Sequence, residues 1–442
     1  MAQQFPSVQE FKEMLNKSIV WADIVKIFDY LLTVGVELWA SDIHIEPFEN
    51  FARIRLRIDW VLQELVQYPK NLHDSVISKF KIESWQMRPD EKRIPQDARV
   101  STMTQTNKEI DLRANTLPTV WWEKLCMRIV DKSKKTPPLE VLGIEWINGD
   151  LITKAIEQPN GIMMTTWPTW SWKTTTMYAS LAKINNVDIN ITTFEDPVEN
   201  KMFWLNQSQV RADIGFTFAS WLRSALRQDP DVILVWEIRD HETLDMAMEA
   251  AMTWHMVVST IHTNSAAETL TRISNMWAKW FMIAWTFNIV MAQRLARKVC
   301  DHCKVAINVS SDERYQWTKQ CFASMDKDIL KAEIIQRWID PNVWQAYMSQ
   351  WVAYIWSWKD PATWEVCPVC LWSWCKWRVW VYEILHFNEE VKEMVMRDEK
   401  AMDVEKVALA RWMISLERDA VFKVIKGFLP LDAVYKLVKH KE

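Results

Sequence analysis

The sequence predicts an α/β fold, on three observations. From about residue 139 to 297, apolar strand-like runs alternate with helix-spaced ones, the pattern of a mainly parallel sheet covered by helices. The first 134 residues carry short period-two segments behind a helical start, which reads as a smaller α+β domain. The final stretch, 386–442, keeps helical spacing.

The elements follow in order. Phe11, Leu15, Ile19, Ile24, Ile27, Phe28 and Leu31 lie at helical spacing within residues 7–34. Alternating segments at 41–46, 52–58, 61–65, 108–114 and 123–130 predict strands. Lys132-Ser133-Lys134-Lys135-Thr136-Pro137-Pro138 reads as a linker closing a domain over 1–134. In the domain over 139–297 the strand candidates are 161–166, 188–194, 231–235 and 255–261. Residues 298–385 form a cysteine-bearing segment around a charged insert.

Composition excludes several classes. With 442 residues, a formal charge of −4 and a quarter of the residues charged, nothing in the balance favours a nucleic-acid partner. The start, MAQQFPSVQEFK, has no basic segment followed by an apolar run, so no secretory signal is expected. No uncharged apolar stretch approaches the roughly 20 residues that a membrane helix needs. A cytoplasmic protein is expected, and its seven cysteines read as thiols or metal ligands.

One feature is abnormal: 6 Gly stand beside 29 Trp. Glycine averages roughly 7% of residues, which would be about 31 here, and the two counts together come close to that. The positions agree. Asp59-Trp60 between two strand candidates is a hairpin signal only if read as Asp-Gly. Trp254 follows a helix-like run, where a C-terminus favours Gly. The run from Leu371 to Trp377 makes sense as a Gly-rich turn, not as a packed strand. The simplest reading is that UGA specifies Gly in the source and most of these tryptophans are glycines.

Trp167-Pro168-Thr169-Trp170-Ser171-Trp172-Lys173-Thr174-Thr175 stands between a strand candidate and a helix candidate. With Gly at 167, 170 and 172 it is a complete P-loop, whose backbone N–H groups wrap phosphate oxygens. Three indoles would fill the space that the phosphates need. Lys173 would reach the β- and γ-phosphates of ATP, Thr174 would ligate Mg²⁺, and the helix would point its positive end at the anion. The apolar run 231–235 ends at Trp236-Glu237, a Walker B pattern that places a carboxylate beside the loop.

Further runs carry a family resemblance. Ile191-Thr192-Thr193-Phe194-Glu195-Asp196-Pro197-Val198-Glu199, then Arg223 to Asp231 with Glu237-Ile238-Arg239-Asp240, then Thr253 to Asn264, and Ala40-Ser41-Asp42-Ile43-His44-Ile45-Glu46-Pro47 resemble the Asp box, Walker B region, His box and N-terminal signature of the secretion and pilus motor ATPases. The resemblance implies a PAS-like N-terminal domain, a RecA-like P-loop ATPase domain and a homohexameric ring. It also implies work on an inner-membrane platform protein of a type IV pilus or type II secretion machine, with the ring peripheral to the membrane. By match, Glu195 and Glu237 position Mg²⁺ and the attacking water, Glu237 being the Walker B carboxylate and the base left open. His262, and less directly His255, sense the γ-phosphate. Arg113 and Arg128 reach the nucleotide from the N-terminal domain. Trp39, Trp60, Trp122, Trp167, Trp170, Trp172, Trp221, Trp236 and Trp254 all fall where the family carries Gly.

Cys300-x-x-Cys303 and Cys367-x-x-Cys370 are paired knuckles of the kind that hold structural Zn²⁺ in a closed tetrahedral site. Cys375 is near enough to compete; Cys126 and Cys321 look incidental. Two departures stand out: Ala98 replaces a usual Gly, and the extra N-terminal domain of many relatives is expected to be absent, which leaves membrane recruitment open. Two rival readings remain: a catalytically inactive scaffold subunit of the same ring, which follows if the tryptophans are genuine, and a RecA-like nucleic-acid motor.

Overall fold

The computed structural model describes residues 6–58, 61–131, 136–144, 146–166, 173–211, 214–308, 318, 321, 327–337, 339–345, 347, 352–356, 367 and 375–438. They form two compact units, residues 1–135 and 136–442.

In the first unit the expected long helix is two, α1 (Val8–Val20) and α2 (Ile24–Glu37). They separate where Ala22 takes a left-handed φ of 55° and Asp23 caps α2 by accepting from Lys26 N. Strands β1 (Asp42–Pro47), β2 (Phe51–Ile58) and β3 (Val61–Pro69) precede α3 (His73–Ser84). Strands β4 (Gln96–Met103), β5 (Glu109–Pro118) and β6 (Glu123–Asp131) follow it. All pairs in the sheet are antiparallel, in the order β3-β2-β1-β6-β5-β4. Period-two alternation sends Ile43, Ile45, Ile54, Leu56, Leu112 and Met127 into one core with the apolar stripes of the helices. The other face is charged. There Glu46 meets Arg53 at 3.0 Å, Arg55 at 2.7 Å and Lys124 at 3.1 Å, and these cations hold its carboxyl down at about 2 against the cost of burial.

The second unit contains α4 (Trp146–Ile156), β7 (Gly161–Thr166), α5 (Lys173–Ile184), β8 (Ile191–Glu195), β9 (Leu205–Gln209) and α6 (Phe218–Ala225). Next come β10 (Val232–Val235), α7 (His241–Met252), β11 (Met256–Ile261), α8 (Glu268–Asn275), α9 (Trp280–Thr286) and β12 (Phe287–Val299). Strands β13 (Lys304–Asn308) and β14 (Val352–Trp356) pair with each other, and β15 (Cys375–His386) returns to the main sheet. That sheet runs β15-β12-β7-β11-β10-β8-β9, parallel except for the β15 edge. Its strands β7, β8, β10 and β11 are buried on both faces. Ile162, Met164, Ile233 and Val235 enter the core under α6 to α9, while Met163, Val232 and Leu234 enter the core under α4 and α5. Helices Lys327–Gln336 and Pro341–Gln345 precede β14, and Glu389–Met396, Ala401–Arg411, Leu416–Ile425 and Leu431–Val438 follow β15. Cys375, Lys376 and Trp377, expected in a turn, open β15 instead, because residues 375–386 carry the ladder that pairs with β12. No helix of the described residues is long and apolar enough to cross a membrane.

The backbone makes demands that its side chains do not explain. Of nine non-glycine residues at positive φ among the described residues, five are tryptophan: Trp39 (59°), Trp85 (54°), Trp204 (68°), Trp254 (68°) and Trp277 (64°). All five rings are exposed. Four of the five end helices. After α2, Trp39 N donates to Val36 O and Ala40 N to Gly35 O, the two bonds of a Schellman motif, whose left-handed position is normally Gly. Trp254 and Trp277 hold the corresponding place after α7 and α8, and Trp85 closes α3. Authentic glycines behave alike: Gly161 opens β7 at φ +124°, and a Cβ there would lie 2.3 Å from Asn288.

Candidate functional site

Strands β7, β11, β10 and β8 are successive parallel neighbours, so their carboxyl ends open at one edge of the sheet, where open α/β sheets bind ligands. Each strand hands over there to a candidate segment. β7 ends at Thr166, before Trp167, Pro168, Thr169, Trp170, Ser171 and Trp172, which lie outside the described residues. Lys173 and Thr174 begin α5, their side chains also outside the description, and Thr175 is half-buried beside them. One turn on, Thr176 Oγ1 donates to Gln293 Oε1 at 2.8 Å and anchors α5 to β12.

Glu195 closes β8 and is wholly buried. Thr193 Oγ1 donates to its Oε1 at 2.6 Å, Gln207 Nε2 at 3.1 Å, and the Tyr178 hydroxyl donates to its Oε2. Burial raises the Glu195 pKa above the ordinary carboxylate value, more than these hydrogen bonds lower it. Glu237 follows β10 and is 4% exposed. Its Oε1 lies 3.0 Å from His262 Nε2, and its Oε2 accepts from Arg239 Nη2 at 2.9 Å. That bond raises the Arg239 pKa. His262 follows β11 directly. The next residue is tied back to the end of β7: Thr263 N donates to Thr166 Oγ1 at 2.8 Å, and Thr166 Oγ1 to Thr263 O at 2.9 Å. The end of β7, Glu237 and the His262–Thr263 segment are thus brought to one edge of the sheet.

His255 does not join them. It precedes β11, so about 20 Å of strand separates it from His262, and its Nδ1 lies 3.0 Å from Ala250 O. This places it at the far end of β11 from Glu237 and His262. Arg113 and Arg128 stand in the first unit, directly opposed across β5 and β6, with Arg128 Nε 3.2 Å from Asp42 Oδ1. Tyr178, Gln207, Thr166 and Thr263 escape the sequence reading. Tyr178, Gln207 and Thr166 are ordinary helix or strand residues and Thr263 a loop residue, and their roles appear only when separate segments meet.

A second cluster lies beyond β12. The Sγ atoms of Cys300, Cys303 and Cys367 all fall within 4.8 Å of one another and are buried, with Cys300 and Cys367 at 4.0 Å. Sulfurs on a tetrahedral zinc at the usual bond length stand about 3.8 Å apart, so the donor set fits Zn²⁺. Cys370 lies outside the described residues.

A family model described as type II/IV secretion system protein matches residues 21–436. The type IV pilus assembly ATPase PilB of Acinetobacter baylyi is 36% identical over 416 residues, covering 94% of this chain and 66% of that protein. The chain therefore spans about two thirds of that relative. Type II secretion system protein E of Aeromonas hydrophila is 33% identical over 418 residues, covering 95% of this chain and 76% of its own. Among solved structures, the Legionella pneumophila ATPase DotB superposes with a TM-score of 0.64 at 18% identity, covering 94% of this chain and 95% of that one, a likeness of fold.

Proposed function

Because the chain belongs to the type II/IV secretion system protein family, we propose that it hydrolyses ATP and turns the reaction into work on a membrane machine that assembles a pilus or a secretion pseudopilus. One observation carries the reading: the ends of β7, β8, β10 and β11 bring the phosphate-loop position, Glu195, Glu237 and His262 to a single edge, with Glu237 bonded to His262 at 3.0 Å. Glycine at 167, 170 and 172 leaves room there for the triphosphate. Lys173 binds the β- and γ-phosphates, Thr174 holds Mg²⁺, and Mg²⁺ supplies charge neutralisation at the transferring phosphoryl. Glu237, oriented by His262 and Arg239, faces the attacking water, and His262 reports the γ-phosphate. The first unit, which carries Arg113 and Arg128, is read as the PAS-like domain and the second as a RecA-like core.

The left-handed tryptophans support glycine as the natural residue at such positions, since each indole there costs roughly 1–2 kcal/mol of backbone strain. Trp221 and Trp236 sit buried in ordinary backbone, so this argument does not extend to them. Cys300, Cys303, Cys367 and Cys370 hold structural Zn²⁺, and the assembly is a homohexamer at the cytoplasmic face of the inner membrane, docked on a platform protein.

The test is ATP turnover by full-length protein carrying glycine at 167, 170 and 172, beside a Lys173→Ala control. Turnover that Lys173→Ala abolishes is expected. No turnover in either protein selects the scaffold reading, and turnover that rises with added DNA selects a nucleic-acid motor. Peptide sequencing of protein from the source organism should return glycine at these positions; tryptophan there would sink the motor.

A further inference from the structure

The loop that carries His262 is gripped from its far side by two buried side chains that no motif includes. Glu383, on β15, is 1% exposed. Its Oε1 accepts from Ala266 N at 2.9 Å, four residues past His262, and its Oε2 accepts from Leu416 N at 3.2 Å. Leu416 is the first residue of the helix Leu416–Ile425, whose positive end favours a carboxylate. Arg294, on β12 and also buried, donates from Nη2 to Asn264 O at 3.2 Å, two residues past His262. Its Nη1 donates to Leu437 O at the end of the helix Leu431–Val438, where a cation meets the negative pole.

One short loop is therefore bound on one side to the end of β7, through Thr166 and Thr263, and on the other to the termini of two C-terminal helices. We infer that Glu383 and Arg294 are positioning residues that lock the His262 loop to the helices Leu416–Ile425 and Leu431–Val438, so that the nucleotide state is transmitted to the C-terminal region. The physical reason lies in the geometry. A buried carboxylate shared by two backbone N–H groups leaves neither free to move alone, because the abandoned donor would be unsatisfied in the core. A displacement of His262 toward or away from a γ-phosphate must then shift Ala266, and with it Leu416.

This rests on the nucleotide-site reading, and the experiment separates the two. Amide hydrogen exchange is followed in the full chain with glycine at 167, 170 and 172, with and without a non-hydrolysable ATP analogue. Protection is expected to rise at residues 173–184, and to change together in 263–267 and 416–425. In Glu383→Gln, which keeps the shape but offers one acceptor where two are needed, exchange near 266 or 416 should quicken about tenfold. The nucleotide response of 416–425 should vanish while that of 173–184 persists. Arg294→Lys, which keeps the charge and loses the planar fork, should uncouple 431–438 in the same way. An unchanged response of 416–425 in Glu383→Gln, or of 431–438 in Arg294→Lys should the first variant not fold, overturns the coupling alone. Absence of protection at 173–184 in the parent chain overturns the nucleotide site and the coupling with it.

Discussion

Replacing Trp254 and Trp277 with glycine should stabilise the second unit. Both residues follow a helix at positive φ, 68° and 64°, where an L side chain costs about 1–2 kcal/mol. Their rings are 74% and 84% exposed, so removing them forfeits little apolar burial. Against the relief stands the greater freedom of glycine in the unfolded chain, about 0.5–1 kcal/mol. The balance favours glycine by roughly 0.5–1 kcal/mol at each site. Trp21 supplies the control: it is 83% exposed at the end of α1, but its φ is −90°. Trp21→Gly releases no strain and should cost about 0.5–1 kcal/mol through the unfolded state alone. The measurement is denaturant unfolding followed by far-UV circular dichroism, read from the transition midpoint, which a changed baseline signal from the removed indoles does not shift. The double replacement should raise the midpoint and Trp21→Gly should lower it. If Trp254→Gly and Trp277→Gly lower the midpoint as Trp21→Gly does, the backbone argument for recoding is wrong.

Other outcomes follow from individual groups. The Glu46 carboxyl is lowered from 4.5 to about 2 in the folded chain. Its contribution is therefore complete above 4.5 and disappears as pH falls from there toward 2, an effect of about 2 kcal/mol once the partly exposed Arg53, Arg55 and Lys124 are discounted for screening. Glu46→Gln should flatten the first unit's acid unfolding curve across that window. Glu195, raised by burial, should impose an acidic limb on ATP turnover at a pH above the ordinary carboxylate range, the rate falling as the group gains its proton. Glu195→Gln should remove the limb and lower the maximal rate by about 10²-fold, which a pH–rate profile reads directly. Chelation should release one zinc ion per chain, seen with a colorimetric zinc indicator. Cys303→Ser should abolish that release and expose the segment around residues 300–303 to proteolysis.

Much of the site was legible because each motif sits on its own strand end. The segments read as strands at 161–166, 231–235 and 255–261 stand as β7, β10 and β11, since a strand buried on both faces is a continuous apolar run. What escaped was polar or edge-paired. β9, with the sequence Leu-Asn-Gln-Ser-Gln, carries no apolar signal, yet its Gln207 holds Glu195. β12 is a 13-residue strand whose run from Phe287 reads equally as helix, and only pairing with β7 and β15 decides it. The break between α1 and α2 was hidden because one apolar stripe continues across it.

By itself the sequence determined the α/β class, the order of the segments 167–175, 191–199, 231–240 and 253–264, the paired cysteines, and the excess of tryptophan over glycine. These are local properties, set by periodicity, spacing and the volume of a side chain. The tertiary structure alone decided that His262 meets Glu237 while His255 stands at the opposite edge, that Glu195 is buried among Tyr178, Thr193 and Gln207, and that Glu383 and Arg294 grip the His262 loop. Thr193 aside, these contacts join residues from 12 to 117 positions apart, and no pattern along the chain encodes which strands will lie side by side until the sheet is assembled.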